Sequence, residues 1–451
     1  MDRWRRPGRG RYLLRLSPAS GLEREHAVKV RHLVASALAA AVAISMTSCS
    51  DSSSEKSGEA KDLTVWLMTG TVPDPVLKDI NKEWEDAHKG AKVKVEIQQW
   101  DGIGPKTTTA LGSNNPPDVV EIGNTLTAGF GDSKALKDLT DKKGDLGGDD
   151  WNKGLEESGT VDGKLYGVPF YAGTRVVLYR KDLWQKAGLT DPPKTIDELT
   201  AAAAKLTAAN AATKDFSGFY FPGKYWYAGM SFVYGYGGTI AEKDGDKWVG
   251  KLDSPDSLKG LEAMKTFVDN ASKAPKDATE ADPTQVSILA SGKGAMAYDA
   301  AWQIPAIEKE NPALKGQIGT FALPGPTADT AMPAFLGGSN LAIAAGSKNS
   351  AGAYDYLKLL ATKYQKPLVE QAKLIPNSLT LLETAKADPA IAPNAAAAEN
   401  GWFPPTDPQW GAVESSNVLT DTMVNILTGK KAPADAAKDA NAVIEKTLNG
   451  S

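Results

Sequence analysis

Histidine and cysteine most often supply nucleophiles, general bases and metal ligands near neutral pH. This sequence has three histidines and one cysteine in 451 residues. His26 and His32 lie in a basic N-terminal segment, so beyond residue 48 only His88 remains. It closes Asp79-Ile-Asn-Lys-Glu-Trp-Glu-Asp-Ala-His88, a helical pattern whose polar face it occupies, and a Ser-His or Cys-His nucleophile would rest on it alone. No His/Cys spacing suits zinc, and Gly235-Tyr-Gly-Gly238 lacks the spacing and lysine of a phosphate loop. Neither a cofactor nor a metal is therefore expected. Carboxylate chemistry is still possible. Asp101, Glu121 and Asp299 could form the pair, about 5–9 Å apart, by which glycosides are hydrolysed.

The single cysteine has a different setting. Ahead of Cys49 run Lys29 and Arg31, then 14 uncharged residues over 33–46, then Thr47 and Ser48. A basic region, a short apolar run and small residues at the cut describe a secretory signal, and the run is shorter than the roughly 20 residues of a membrane-spanning helix. Met46-Thr47-Ser48-Cys49 resembles a bacterial lipobox, in which the cysteine becomes the lipidated first residue. Residues 1–48 thus read as signal and 49–62 as a polar, disordered tether. Arg3, Arg5, Arg6, Arg9, Arg11 and Arg15 make an odd preamble, and translation is expected to start at Val28.

Positioning any site requires elements around it. Residues 63–68 and 92–97 read as strands, 76–88 and 103–111 as helices, and Pro116-Pro-Asp-Val-Val-Glu-Ile122 as a strand ending at Gly123-Asn124. Strands alternating with helices predict α/β layers with a mainly parallel sheet. Ligands then lie at the strands' carboxyl ends, which places residues 66–70, 100–101 and 123–125 around one crevice. Further helices fit residues 257–271, 283–291, 351–361, 417–427 and 432–448, and Thr195 with Glu198 reads as a capping box. Residues 49–451 exceed the usual single-core limit of about 250–300, so two lobes are expected. Their net charge of about −10 (the whole-chain −4 less +6 for residues 1–48) argues against nucleic acid.

Five stretches together resemble the family 1 extracellular solute-binding proteins of ABC importers: Pro117-Asp-Val-Val, Asp162-Gly-Lys-Leu-Tyr-Gly-Val-Pro169, Val177-Leu-Tyr-Arg-Lys-Asp182, Pro193-Lys-Thr-Ile-Asp-Glu-Leu199 and Gly292-Lys-Gly-Ala-Met-Ala-Tyr298. A closer likeness, to actinobacterial lipoproteins that bind N,N′-diacetylchitobiose, rests on Val95-Glu-Ile-Gln-Gln-Trp-Asp-Gly-Ile103, Glu121-Ile-Gly-Asn-Thr125, Ser272-Lys-Ala-Pro-Lys-Asp277, Pro324-Gly-Pro-Thr-Ala-Asp329 and Phe335-Leu-Gly-Gly-Ser-Asn-Leu-Ala342. The chain departs from that pattern at 169–175 and 401–405. The resemblance implies a two-lobe α/β clamshell with a hinge of extended crossings. One lobe would take residues 63–172 and 338–385, the other 173–337 and 386–451. It also implies a monomer that binds a di- or oligosaccharide and delivers it to ABC permease subunits without doing chemistry. A polyol or glycerophosphodiester would be a third ligand class in the same fold.

A sugar offers an apolar C–H face and a rim of hydroxyls, so its site needs flat rings and planar polar groups. The resemblance implies Trp302 as a stacking ring and Trp410 as a second aromatic. Trp226 sits among aromatics in Lys224-Tyr-Trp-Tyr227, Trp402 has Gly and Pro neighbours that predict an exposed pocket rim, and Trp66 lies near a strand end. Polar candidates are Asn124 and Thr125 after a strand end, the hydroxyl-accepting carboxylates Asp101 and Asp299, and Gly338, Ser339 and Asn340 in a glycine-marked passage. Arg175 and Arg180 are the only arginines after residue 31. For Arg175 two readings stand, a planar fork for the ligand or a buried ion pair anchoring the hinge. Arg180 reads as structural.

Overall fold

The structure of the protein, a computed structural model, describes residues 61–100, 102–388 and 391–450. Cys49, the signal, the start at Val28, most of the tether and Asp101 lie outside these residues. The first described strand, Leu63–Met68, puts Leu63, Val65 and Leu67 on one wholly buried face. Against it packs the helix Asp74–Ala87 through Val76, Ile80 and Trp84, a spacing of four that keeps all three on one side. Each such side chain contributes about 1.5–3 kcal/mol by leaving water.

Two sheets organise the chain. One has six strands in the order Ile375–Pro376, Val168–Gly173, Gly337–Ile343, Val119–Gly123, Leu63–Met68, Val93–Gln98. The other has four, in the order Ile318–Phe321, Arg175–Arg180, Gly294–Ala300, Ser217–Tyr220. Both are layered with helices. In the second sheet Val177 faces a core with Leu199, Ala203 and Leu206, while Val176 and Leu178 face Leu289, Ile307 and Leu314 on the other side. The capping box is present in shifted form. Thr195 Oγ1 accepts from the Glu198 amide at 3.1 Å, and Glu198 reaches back to the amide of Lys194.

The expected mainly parallel sheet is instead mixed. Leu63–Met68 runs parallel to both neighbours, but Gly337–Ile343 runs antiparallel to Val119–Gly123 and to Val168–Gly173. The reason is connectivity: that strand belongs to chain returning from the four-stranded sheet, so it enters from the opposite end.

The passage between sheets is one residue long. Gly173 ends a strand of the first sheet and Arg175 begins a strand of the second, with Thr174 fully buried between them. Thr174 Oγ1 donates to the Asn394 carbonyl at 2.8 Å, so another segment holds the crossing. At Gly338 φ is +133°, and a Cβ there would lie 2.2 Å from the Tyr171 carbonyl oxygen, so only glycine lets these two strands meet. Among the described residues no helix is long and apolar enough to cross a membrane, and no group of three or more His, Cys, Asp or Glu could hold a metal.

Candidate ligand-binding site

Where the sheets meet, Arg175 stands at the start of its strand inside a cage of rings. Its guanidinium carbon lies 4.9 Å from the centroid of Tyr227, 5.4 Å from Phe335 and 5.6 Å from Tyr225, and its Nε donates to the Tyr225 hydroxyl. Cation–π contact of this kind holds the plane of the fork. Two carboxylates bear on its charge, Asp299 and Glu280. Asp299 comes from the adjacent strand, whose Ala300 is in register with Arg175. Glu280 comes from the irregular segment before Thr284. The Pro222-Gly223 turn docks that segment by accepting a backbone approach so close that a Cβ at Gly223 would lie 2.0 Å from the Lys276 carbonyl oxygen.

Burial pushes Asp299 up to about 7, against the pull of the Ala300 amide and Arg175 and with a push from Glu280. Burial likewise raises Glu280, with Arg175 opposing. Neither acid forms an ion pair with Arg175 among the described residues, so the buried ion-pair reading of Arg175 is not met. Arg180 is different. Its Nε and Nη2 grip Asp182 at 2.7 and 2.6 Å, and its Nη1 donates to the Leu289 carbonyl, a structural role.

Trp302 follows the same strand on a short turn, Ala301–Gln303, and is half-buried. Its ring stands edge-on to Tyr171, with centroids 6.0 Å apart. It also covers Gly173, where a Cβ would come 2.5 Å from Cη2. Tyr171 lies beside Glu121, whose carboxylate is 2% exposed and fully engaged. Oε2 accepts from the Met68 amide at 2.8 Å and from Thr71 Oγ1 at 3.0 Å, and Oε1 accepts from Ser339 Oγ at 2.7 Å. Burial raises the Glu121 pKa despite these donors. Glu121 therefore ties strands together and has no oxygen to spare for hydrolysis.

The remaining candidates fall into two groups. Asn124 is buried and donates to the Leu336 carbonyl at 3.1 Å, while Thr125 donates to Glu414 Oε2 at 3.1 Å. Burial carries Glu414 to about 7, opposed by Trp410 and Thr125. Asn340 is wholly buried and donates to Thr127 and Ser158, leaving its Oδ1 without a partner. Trp226, Trp402 and Trp410 form one interior aromatic cluster, with Trp226 centroids 6.2 and 6.3 Å from the other two. Trp402, expected at an exposed rim, is 4% exposed because Tyr234 stacks on it at 4.7 Å and Ser231 takes its indole N–H. Trp66 is engaged on its own strand pair, donating to Glu96 at 2.9 Å with Lys106 over its ring.

The structure thus gathers Arg175, Asp299 and Trp302 near Gly338 and Ser339. It adds Tyr225, Tyr227, Phe335 and Glu280, which sequence reasoning passed over. The tyrosines flank Trp226 in a segment already marked as aromatic. Glu280 carries no sequence signal of its own. Trp100, 41% exposed, is a further ring, packed 3.7 Å from where a Cβ of Gly123 would be.

Residues 69–367 match the family described as bacterial extracellular solute-binding protein. The chain is 41% identical over 426 residues to the diacetylchitobiose binding protein DasA of Streptomyces coelicolor, covering 93% of this chain and 99% of that one. It is 26% identical to a maltooligosaccharide ABC transporter solute-binding lipoprotein of Streptococcus pneumoniae over 87% of this chain and 90% of the relative. Among solved structures, an ABC transporter solute-binding protein of Thermotoga lettingae bound with α-D-tagatose superposes with a TM-score of 0.75. It is 26% identical and covers 86% of this chain and all of that one. The GacH receptor of Streptomyces glaucescens gives the same TM-score at 24% identity, covering 86% of this chain and 99% of its own. The fold is that of two-lobe solute-binding proteins.

Proposed function

The chain belongs to the bacterial extracellular solute-binding proteins; it is a carbohydrate-binding subunit of an ABC importer and not an enzyme, and we propose that its ligand is a short chitooligosaccharide such as N,N′-diacetylchitobiose. The observation that carries this reading is the set of side chains at the junction of the two sheets, where Gly173 ends one strand and Arg175 begins the next. There a half-buried indole, three further rings and a set of unspent polar groups converge, beside a 41% identical relative named for that sugar. Trp302 supplies the flat face for a pyranose, and Arg175, Asp299 and Glu280 take its polar rim. Closure of the two lobes, 63–172 with 338–385 and 173–337 with 386–451, follows the ligand's preference for the closed state. The switch of sheets at Thr174 supports the first of these boundaries. In this reading Cys49 carries the lipid that keeps a monomeric receptor beside its permease subunits.

Calorimetric titration of the purified protein with chitobiose, cellobiose, maltose, xylobiose and N-acetylglucosamine tests the ligand. Chitobiose should bind near micromolar, about −8 kcal/mol, and be recovered intact. Tight binding of another sugar and silence from chitobiose would refute the proposed ligand.

A further inference from the structure

We propose that Arg175, Glu280 and Asp299 act together as a reader of the acetamido group, so that this trio decides between N-acetylated and plain disaccharides. The inference rests on the carbohydrate-receptor reading above and goes beyond it by assigning the discriminating contacts.

Arg175 and Asp299 stand at the same end of two adjacent strands, Ala300 being in register with Arg175, and Glu280 bears electrostatically on both; none of the three pairs with another. Among the described residues the Arg175 guanidinium has one hydrogen bond, from Nε to Tyr225, and its two terminal nitrogens have none. Asp299 Oδ1 takes the Ala300 amide at 2.7 Å, leaving Oδ2 unbonded. The Glu280 carboxylate accepts no hydrogen bond. Asp299 is buried while Arg175 and Glu280 are half-buried, so their unbonded atoms are open to a group that enters between the sheets. A cation and two carboxylates held apart at one junction leave a bridging position for a ligand group.

That group must offer an acceptor to the guanidinium and a donor to a carboxylate, in fixed relation. An acetamido does both: its carbonyl oxygen accepts from Arg175 and its N–H donates to Asp299 or Glu280. A lone hydroxyl can serve only one partner well at a time. A free amine on the sugar would satisfy the acids but bring a second cation to Arg175, which the cage prevents from moving away.

The test is a matrix of calorimetric titrations. The sugars are N,N′-diacetylchitobiose, its fully deacetylated diamine and cellobiose; the proteins are the natural chain and the variants Arg175→Lys, Asp299→Asn and Glu280→Gln. The natural protein should prefer the acetylated sugar to cellobiose by at least about 30-fold. In Arg175→Lys and Glu280→Gln that ratio should fall about tenfold, the acetylated sugar losing more affinity than cellobiose. Melting curves confirm that each variant is folded, and the near-isosteric Glu280→Gln keeps the test valid if Arg175→Lys is not. Equal losses for both sugars, leaving the ratio intact, would overturn the trio while the carbohydrate reading survives. A natural protein that binds sugars without preferring the acetylated one would also overturn it. No sugar binding at all would remove both readings.

Discussion

Replacing Glu121 by leucine and by glutamine separates the two things its carboxylate does. It accepts from one donor that cannot turn away, the Met68 amide, and from two hydroxyls that can, Thr71 and Ser339. Thr71 already has a second acceptor in the Met68 carbonyl at 2.9 Å. Leucine therefore orphans the Met68 N–H and the Ser339 hydroxyl in a buried site. At about 1–3 kcal/mol each, the variant should lose roughly 3–5 kcal/mol, a large part of the usual 5–15 kcal/mol total. Glutamine can keep an oxygen toward Met68 and Thr71 and turn its amide N–H toward Ser339, whose hydroxyl then accepts. Its cost at pH 5.5 should be about 1 kcal/mol or less. Burial raises the Glu121 pKa, so its proton is held more tightly in the folded state than in the unfolded one. Stability from this group is present at low pH and is lost as pH rises through the folded value. Glutamine has no such loss, and at pH 8 it should equal or exceed the natural protein. Urea unfolding followed by tryptophan fluorescence at both pH values measures this. If glutamine falls as far as leucine at both, geometric satisfaction of the three donors is not what Glu121 supplies.

Trp302→Ala should weaken chitobiose binding about 10–100-fold, since it removes a stacking ring, and titration against the natural chain measures it; unchanged affinity with a lowered melting point would make Trp302 a packing residue. Asp299 titrates near 7 in the fold, well above its usual range, so unliganded stability should fall as pH rises from about 4 to 7, by at most on the order of 4 kcal/mol. Asp299→Asn should flatten that slope in melting curves taken across the window. Cys49→Ala should abolish labelling of the protein by an alkyne fatty acid in growing cells and release it to the medium; retained label would refute lipidation at Cys49.

Most of the fold was legible because its elements carry local signals. The strand Leu63–Met68 and the helix Ile103–Leu111 have the bounds their residues predict, and the helix Pro433–Leu448 starts one residue late. Sheet direction was less legible, because whether Gly337–Ile343 runs with or against its neighbours depends on where the chain has been, not on its own residues. For the site, residue scarcity points to Arg175, and the motif at 292–298 marks the strand that carries Asp299, with Trp302 on the turn just after it. Trp402 shows the limit of local reading: glycine and proline neighbours favour exposure, but Tyr234 and Ser231, far away in sequence, close over the ring. Glu280 was out of reach for the same reason, since a close backbone approach between Gly223 and Lys276 brings it in.

The one-residue passage at Thr174 has a consequence for how occupancy becomes motion. The residue beside it, Arg175, is both the proposed sensor of the ligand and the first link of the second sheet, while Gly173 on the other side lies under Trp302. If the lobes bend at this passage, as proposed, sensing and bending share adjacent peptide units and the signal needs no relay through the lobes. A torsional change at the passage would be felt by the bound sugar directly, and the sugar would brake it in return. Such a receptor offers few distant positions from which its grip could be tuned without touching the grip itself.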